Sequence, residues 1–545
     1  MKVHDMLARV FLQEGVETVF ALLGDANINW AADMAARGAG LIQVRHEHCA
    51  VAAAMAHARK TGRPGVASTT CGPGLTQVLT ALPAAVRARI PLVIFAGETP
   101  LGARWYNQAI EQGPLITATG ARYRALHSPH RMAVAVRDAF VEAIRDRVPV
   151  VLGVPMDLQK AVWSGAPDLP PPAAACLPAL RPLTPHPDEL TDAAARIGAA
   201  RRIVLLAGLG AVEAGAGPAC RALADHLGAL TATTLPARGL FHDDPFHIGV
   251  AGGFSTAAAR RLMGQADLVL AVGCSLSHHT ADGGALHPEA HVLQIDTAPV
   301  VENQGRVAAH SHLRADARLG ARALLRATGP AGDGWRGPEV ARLLRDTRPD
   351  DVDHPAEPGV HHPQEVVDAL DRLLPADWET VNASGHCAFY TTHMYRRPQE
   401  RFLVIREFGA IGNGPAFVMG VAAARPDRPA VLLDGDGGLL MHVQELETIR
   451  RHGMNVIICV LNDGAYGSEI HKLRAEGLPG GLVSFGRPDF ASIARSFGWD
   501  GARVDNLRDL PGLIARHAKT GGPTLWDFPI SDRIVSPLMR RSTGH

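Results

Sequence analysis

One carboxylate and one amide, set about two turns of loop and a helix apart, are the side chains in this sequence best placed to do chemistry. Asp436 lies in Asp434-Gly435-Asp436-Gly437-Gly438, and Asn462 opens Asn462-Asp463-Gly464. A carboxylate, an amide oxygen and a loop carbonyl, for which Gly464 is the obvious donor, make three hard oxygen ligands. Mg²⁺ suits such a set because it completes its octahedron with water and substrate phosphates rather than an all-protein cage. The elements that must position these groups are legible on either side. Val431-Leu432-Leu433 is a short apolar run typical of a strand buried on both faces. Leu439, Val443, Leu446 and Ile449 recur at helical spacing, and Gly453 supplies the stop. A second apolar run, Val456 to Leu461, leads into Asn462. The pattern predicts a strand–helix–strand unit with a right-handed crossover. Asp436 and Asn462 then sit at the carboxyl ends of neighbouring strands, where ligands of open α/β sheets bind. The helix starting near Gly437 turns backbone N–H groups to the same place, which suits a diphosphate. A dinucleotide turn or a plain strand–helix corner is the rival reading of the glycines alone.

Gly435-Asp436-Gly437, then 24 residues, then Asn462-Asp463 resembles the thiamine-diphosphate signature. Gln444-Glu445-Leu446-Glu447-Thr448 is similar to the helix text of the acetolactate synthase and 2-oxo-acid decarboxylase superfamily. Asp463 departs from it by replacing the second Asn. The resemblance implies a Mg²⁺ site at Asp436, Asn462 and Gly464. It also implies contacts to the cofactor from Gly435, Gly437, Gly438, Asn462 and Tyr466.

Composition is consistent with a globular enzyme. Lys+Arg and Asp+Glu both total 54, so no basic field invites nucleic acid. Hydrophobic residues at 47% and charged ones at 20% match a globular chain with ample core. Seven cysteines stand singly without CxxC spacing, which points to a reducing, cytoplasmic setting. No apolar segment reaches membrane-spanning length.

The expected fold is α/β, with three doubly wound parallel-sheet domains. Residues 1–162 alternate strand-like runs (Val19–Leu23, Gly65–Thr69, Pro91–Phe95, Pro149–Leu152) with Ala-rich helical segments. Prolines crowd Trp163 to Pro187, an extended linker. Residues 188–327 form a second unit, and a Gly/Pro/Asp-rich passage from Thr328 to His362 separates it from the third, 363–545. The helix–turn–strand–Gly opening of residues 4–24 recurs at 363–385, a hint that first and last domains share a topology. The resemblance names the three units pyrimidine-binding, middle and diphosphate-binding.

Further residues follow from it. Arg45-His46-Glu47-His48 is like the family's Arg-His-Glu segment, which implies that Glu47 meets N1′ of the aminopyrimidine. A carboxyl group in an apolar cleft has the raised pKa that this needs. A salt-bridged surface Glu is the plainer alternative, and His46 and His48 read as structural. Cys71-Gly72-Pro73-Gly74 resembles an SGPG-type loop, with Pro73 in the cofactor wall. Gln112, in a QxxDQ-like segment, approaches the substrate. Gly385-His386 resembles the diphosphate-side loop, with His386 reaching the substrate. Phe408-Gly409-Ala410-Ile411-Gly412 resembles the GxMG segment, in which Gly409 and Ile411 support the bent cofactor. Glu469 stands where pyruvate-type decarboxylases place an acid for protonation. Gly208-Leu209-Gly210 is a weak dinucleotide hint that leaves room for FAD without favouring it.

The resemblance therefore implies thiamine-diphosphate- and Mg²⁺-dependent decarboxylation of a 2-oxo acid, with carboligation of the enamine to a second carbonyl. Alternatives are a simple decarboxylase that releases an aldehyde and a non-catalytic cofactor-binding relative. A homodimer or homotetramer is expected, with active sites at the subunit interface and no nucleic-acid or membrane partner.

Overall fold

Aliphatic runs separated by alanine-rich helices build three six-stranded sheets, every strand pair in them parallel. The structure is a computed structural model and describes residues 1–330 and 334–543. Residues 331–333 of the Thr328–His362 passage and residues 544–545 of the last expected domain lie outside the described residues.

From edge to edge the first sheet runs Gly40–Gln43, Thr18–Ala21, Gly65–Thr69, Leu92–Glu98, Pro149–Pro155, Arg122–Ala125. The third runs Phe402–Val404, Glu379–Asn382, Ala430–Gly435, Val456–Asn462, Thr524–Pro529, Asp500–Arg503. Counted along the chain, both have the order 2-1-3-4-6-5, so the repeated opening at residues 4–24 and 363–385 marks a repeated topology. The middle sheet runs Ser311–Arg314, His291–Asp296, Leu268–Val272, Ile203–Ala207, Leu230–Thr233, His247–Val250, the 3-2-1-4-5-6 order of dinucleotide-binding folds read from its other edge. Its Gly208 and Gly210 have a packing role: the Gly210 N–H donates to Gly273 O at 2.9 Å, and a Cβ on Gly208 would lie 2.2 Å from that same oxygen.

Three local expectations change. The single helix foreseen after Gly437 is two, Asp436–Met441 and Glu445–Arg451. The break falls at His442 (φ −136°, ψ 36°), whose Nδ1 pairs with Gly412 O at 2.8 Å and whose ring stacks on His48. The proline linker contains one helical turn, Ala173–Cys176, strapped to the first domain because the Ala173 N–H donates to the Glu14 carboxylate. The Thr328–His362 passage holds a helix, Pro338–Asp346. Among the described residues no helix is long and apolar enough to cross a membrane.

The first and third sheets meet through two helices, Glu47–Thr61 and Gly414–Ala424. Alanines and glycine make the approach close: a Cβ on Gly420 would lie 2.1 Å from Ala53 O and 2.9 Å from Ala56 Cβ. The contact falls in the middle of the Glu47 helix, at Ala53 and Ala56, and fixes that helix against the third domain. Gly420→Ala must push the helices apart, and an overpacking cost of about 1–3 kcal/mol is expected. Urea denaturation measures it, and an unchanged midpoint would show that this contact carries no stability.

Candidate active site

Asp436 is the first residue of its helix, immediately after the strand Ala430–Gly435, and it is 1% exposed. Its Oδ1 accepts from the Gly437 N–H at 2.8 Å and its Oδ2 from the Gly464 N–H at 2.6 Å, bridging the tips of two adjacent strands. Burial raises its pKa, and the nearby Asp463 carboxylate raises it further. Asp463 is raised as well, chiefly by burial. A third carboxyl, Asp434, is fully buried, is pushed up to about 8 by desolvation, and leaves its Oδ2 without a partner. A Cβ on Gly438 would come 2.6 Å from its Oδ1, and one on Gly414 2.1 Å from its Oδ2, so these glycines make room for the group. Three carboxyls crowd together here without an ion pair among the described residues. Such a cluster accepts a cation readily.

The cavity beside them, about 460 Å³, brings together most of the residues singled out in the third domain. Gly385, His386, Gly409, Ile411, Gly435, Asp436, Gly437, Gly438, Tyr466 and Glu469 all line it. Asn462 and Gly464 do not; Asp463 and Ala465 do. Asn462 is the last residue of its strand, and its Nδ2 donates to Asp527 Oδ1 at 3.0 Å and Pro488 O at 3.1 Å, which leaves its buried Oδ1 unpartnered. The Gly464 carbonyl accepts from Ser484 Oγ at 3.3 Å. Pocket walls that the sequence reading passed over include Arg406, Cys387 and the last described helix, Pro537–Thr543, through Leu538 and Met539.

His386 is buried, and desolvation, assisted by the neighbouring His471, pushes it down to about 3, so the ring is neutral. Its Nε2 accepts from the Ser536 N–H at 3.1 Å. The one ring proton therefore sits on Nδ1, on the side of Gly467, where an added Cβ would be 3.4 Å away. Glu469 is half exposed, and its Oε1 accepts from Lys472 Nζ at 3.1 Å. Tyr466 packs its ring over Gly437, where a Cβ would meet it at 2.8 Å.

The candidates of the first domain form a separate group. Glu47 opens its helix, is 8% exposed, and has its pKa raised chiefly by burial. It faces Gly74, where a Cβ would approach its Oε1 to 3.1 Å. Gly72 has a left-handed backbone (φ +57°) and no room for a Cβ, since Gln108 O would lie 2.3 Å away. Gln112 is consumed in holding that turn: its Oε1 accepts from the Gly72 N–H at 3.0 Å, and its Nε2 donates to Gly97 O and Tyr123 Oη. Pro73 is exposed at the start of a four-residue helix and lies outside the cavity lining. His48, lowered to about 4 by burial, pairs with Asn413 Oδ1 at 2.6 Å, a structural contact.

The raised carboxyls have a consequence for stability without metal. Asp434 keeps its proton in the folded protein up to about pH 8, whereas in the unfolded chain it ionises near about pH 4. The folded state then binds more protons than the unfolded one, so its stability falls as pH rises through that window. The buried histidines act in the opposite sense, so the contribution of Asp434 is read as a difference: in thermal unfolding of metal-free protein, the midpoint of wild type minus that of Asp434→Asn should fall between about pH 5 and pH 8. A difference that rises over that range would contradict the assignment.

Three family models match the chain: the N-terminal TPP binding domain of thiamine pyrophosphate enzymes at residues 1–115, the central domain at 190–324, and the C-terminal TPP binding domain at 383–528. The acetolactate synthase large subunit of Parasynechococcus marenigrum (strain WH8102) is 29% identical over 537 residues, covering 95% of this chain and 86% of its own. A probable acetolactate synthase large subunit of Methanocaldococcus jannaschii is 28% identical over 560 residues, covering 99% and 93%. A probable 2-ketoarginine decarboxylase of Pseudomonas aeruginosa is 29% identical over 542 residues, covering 95% and 92%. With three parallel sheets in that order and a carboxylate-lined cavity at the tips of the third, the chain belongs to the thiamine-diphosphate-dependent enzymes of the acetolactate synthase and 2-oxo-acid decarboxylase family.

Proposed function

We propose that this enzyme releases CO₂ from a 2-oxo acid and joins the remaining acyl unit to a second carbonyl compound, using thiamine diphosphate and Mg²⁺. The observation that carries the reading is the pair of raised, unpaired carboxyls, Asp436 and Asp463, in a cavity whose floor is glycine backbone. Asp436 and Asn462 would hold the Mg²⁺ together with the Gly464 carbonyl, and the ion would shield the diphosphate. The Asn462 Nδ2 is committed to Asp527 and Pro488, which leaves its buried Oδ1, the atom a metal would take, without a partner; Asp463 lines the cavity beside it. Thiamine diphosphate supplies a nucleophilic carbon and a sink for the electrons that CO₂ leaves behind.

The remaining tasks belong to this chain's side chains. Gly385, Gly409, Gly435, Gly437 and Gly438 let backbone approach the cofactor closely, and Ile411 gives its wall a bulky apolar shape. Burial raises the Glu47 pKa, which favours a carboxyl able to share a proton with a ring nitrogen. His386 can donate from Nδ1 without carrying charge, and Glu469 can pass a proton between cavity and solvent. Gln112 acts as a positioning residue for the Gly72 turn.

The cavity around Asp436 is lined by residues 384–539 alone, and Glu47 is absent from that lining. That division supports a homo-oligomer in which Glu47 of one subunit completes the cavity of another. Release of an aldehyde without ligation is the second reading, and the relative named a probable 2-ketoarginine decarboxylase favours it.

Incubating the protein, loaded with thiamine diphosphate and Mg²⁺, with a series of 2-oxo acids, with and without an acceptor, tests both. Mass spectrometry should find CO₂ release and a ligated product. Aldehyde alone would select the second reading, and no CO₂ from any acid would sink both. Glu47→Gln should retain thiamine diphosphate binding by calorimetry and lose at least about 100-fold in kcat, the usual scale of general acid–base assistance. Full turnover in that variant would remove Glu47 from the mechanism.

A further inference from the structure

Arg406 follows the edge strand Phe402–Val404 and lines the cavity together with Ser384, Cys387 and Gly409. It also walls a smaller neighbouring cavity of about 150 Å³, with Phe254 and His279 of the middle domain. The guanidinium carbon lies 5.0 Å from the centre of the Phe254 ring. Its Nη1 is buried with no hydrogen-bond partner, and no carboxylate approaches within 4.0 Å of the group among the described residues. Two other buried cations are better answered: Arg238 donates to Thr392 O and Arg397 O, though its Nη2 is also without a partner, and Lys60 pairs with Glu379 at 2.6 Å. Arginine does not escape such a position by losing its proton, because its pKa is too high even when burial lowers it. A charge held in a cavity wall and left unpaired is poised for an anion from outside.

The reaction proposed above restricts which anion that is. Pairing the guanidinium with the carboxylate that departs as CO₂ would stabilise the charged reactant more than the transition state, in which that charge is being lost. An anion that keeps its charge from start to finish carries no such penalty. The cofactor's phosphates would have the cation held at Asp436 and Asn462 for their charge. Resting on that reading of the site, we propose that Arg406 is a specificity-determining residue that binds a second, distal carboxylate of the 2-oxo acid, so that the preferred donor is a 2-oxo dicarboxylate. The Phe254 ring fixes the plane of the guanidinium and favours the two-pronged geometry that carboxylates accept.

The test uses the holoenzyme, wild type and Arg406→Gln and Arg406→Lys. Initial rates are compared for 2-oxopentanedioate and 2-oxohexanedioate against 2-oxobutanoate and 2-oxopentanoate. The wild type should prefer the diacids. In Arg406→Gln the ratio of kcat/KM for diacid over monoacid should fall about 10- to 100-fold, the worth of a charge-assisted hydrogen bond, and mostly through KM. Arg406→Lys should fall between the two. Calorimetry with pentanedioate, which has two carboxylates and no 2-oxo group, should show binding to wild type and a loss of the same size in Arg406→Gln. Absence of diacid preference in the wild type, or an equal fall for monoacids, would overturn the proposal. So would weaker thiamine diphosphate binding or altered subunit assembly in Arg406→Gln, since Arg406 would then serve the phosphates or a partner's acid. If no 2-oxo acid is consumed at all, the reaction fails but the pentanedioate titration still decides the anion site.

Discussion

Burial of carboxyls without a counter-ion is the constraint around which the third domain is arranged. Asp434, Asp436 and Asp463 all end up at the tips of two parallel strands, and none has a cation of its own. Water is scarce there, so each negative charge is expensive unless something positive arrives. The protein meets part of that cost with backbone N–H groups: Gly435 donates to Asp434, and Gly437 and Gly464 donate to Asp436. The rest stays uncompensated among the described residues. Anything that binds the folded site and not the unfolded chain would therefore add its binding energy to folding.

Around this core the glycines work by absence. Gly414 and Gly438 leave space for Asp434, Gly437 leaves space for the Tyr466 ring, and Gly420 lets the helix behind the site rest on the Glu47 helix. Each is a place where one methyl group would move a functional side chain. Packing thus reaches the chemistry through short, named contacts rather than through the sheet as a whole.

Much of this was legible in the sequence, and the misses have physical reasons. The apolar runs ending in Gly435-Asp436 and Asn462-Asp463 dictate two neighbouring strands, since continuous burial on both faces needs a parallel sheet. What holds the Asn462 amide was not legible: its Nδ2 donates to Asp527, a residue far along the chain on the adjacent strand, and that contact leaves its Oδ1 free. The break at His442 was hidden for the same reason, because its cause is Gly412 and His48, not its own neighbours. Arg406 stands in no motif of the sequence. The fold makes it a wall of the main cavity, and Phe254 arrives from the middle domain to close the smaller one beside it. In the first domain Gln112 matched a motif, yet its amide is spent on Gly72, Gly97 and Tyr123.

The identical strand order of the first and third sheets bears on how opposite electrostatic jobs can coexist. A carboxylic acid that must keep its proton and a pocket that gathers a divalent ion are incompatible tenants, for the ion's field would strip the proton away. Using one scaffold twice mounts them on different sheets: in one copy burial raises the Glu47 carboxyl, and in the other Asp436 and Asp463 lie together. Each copy is thus free to drift toward its own extreme, a specialisation that a lone crevice would have had to compromise.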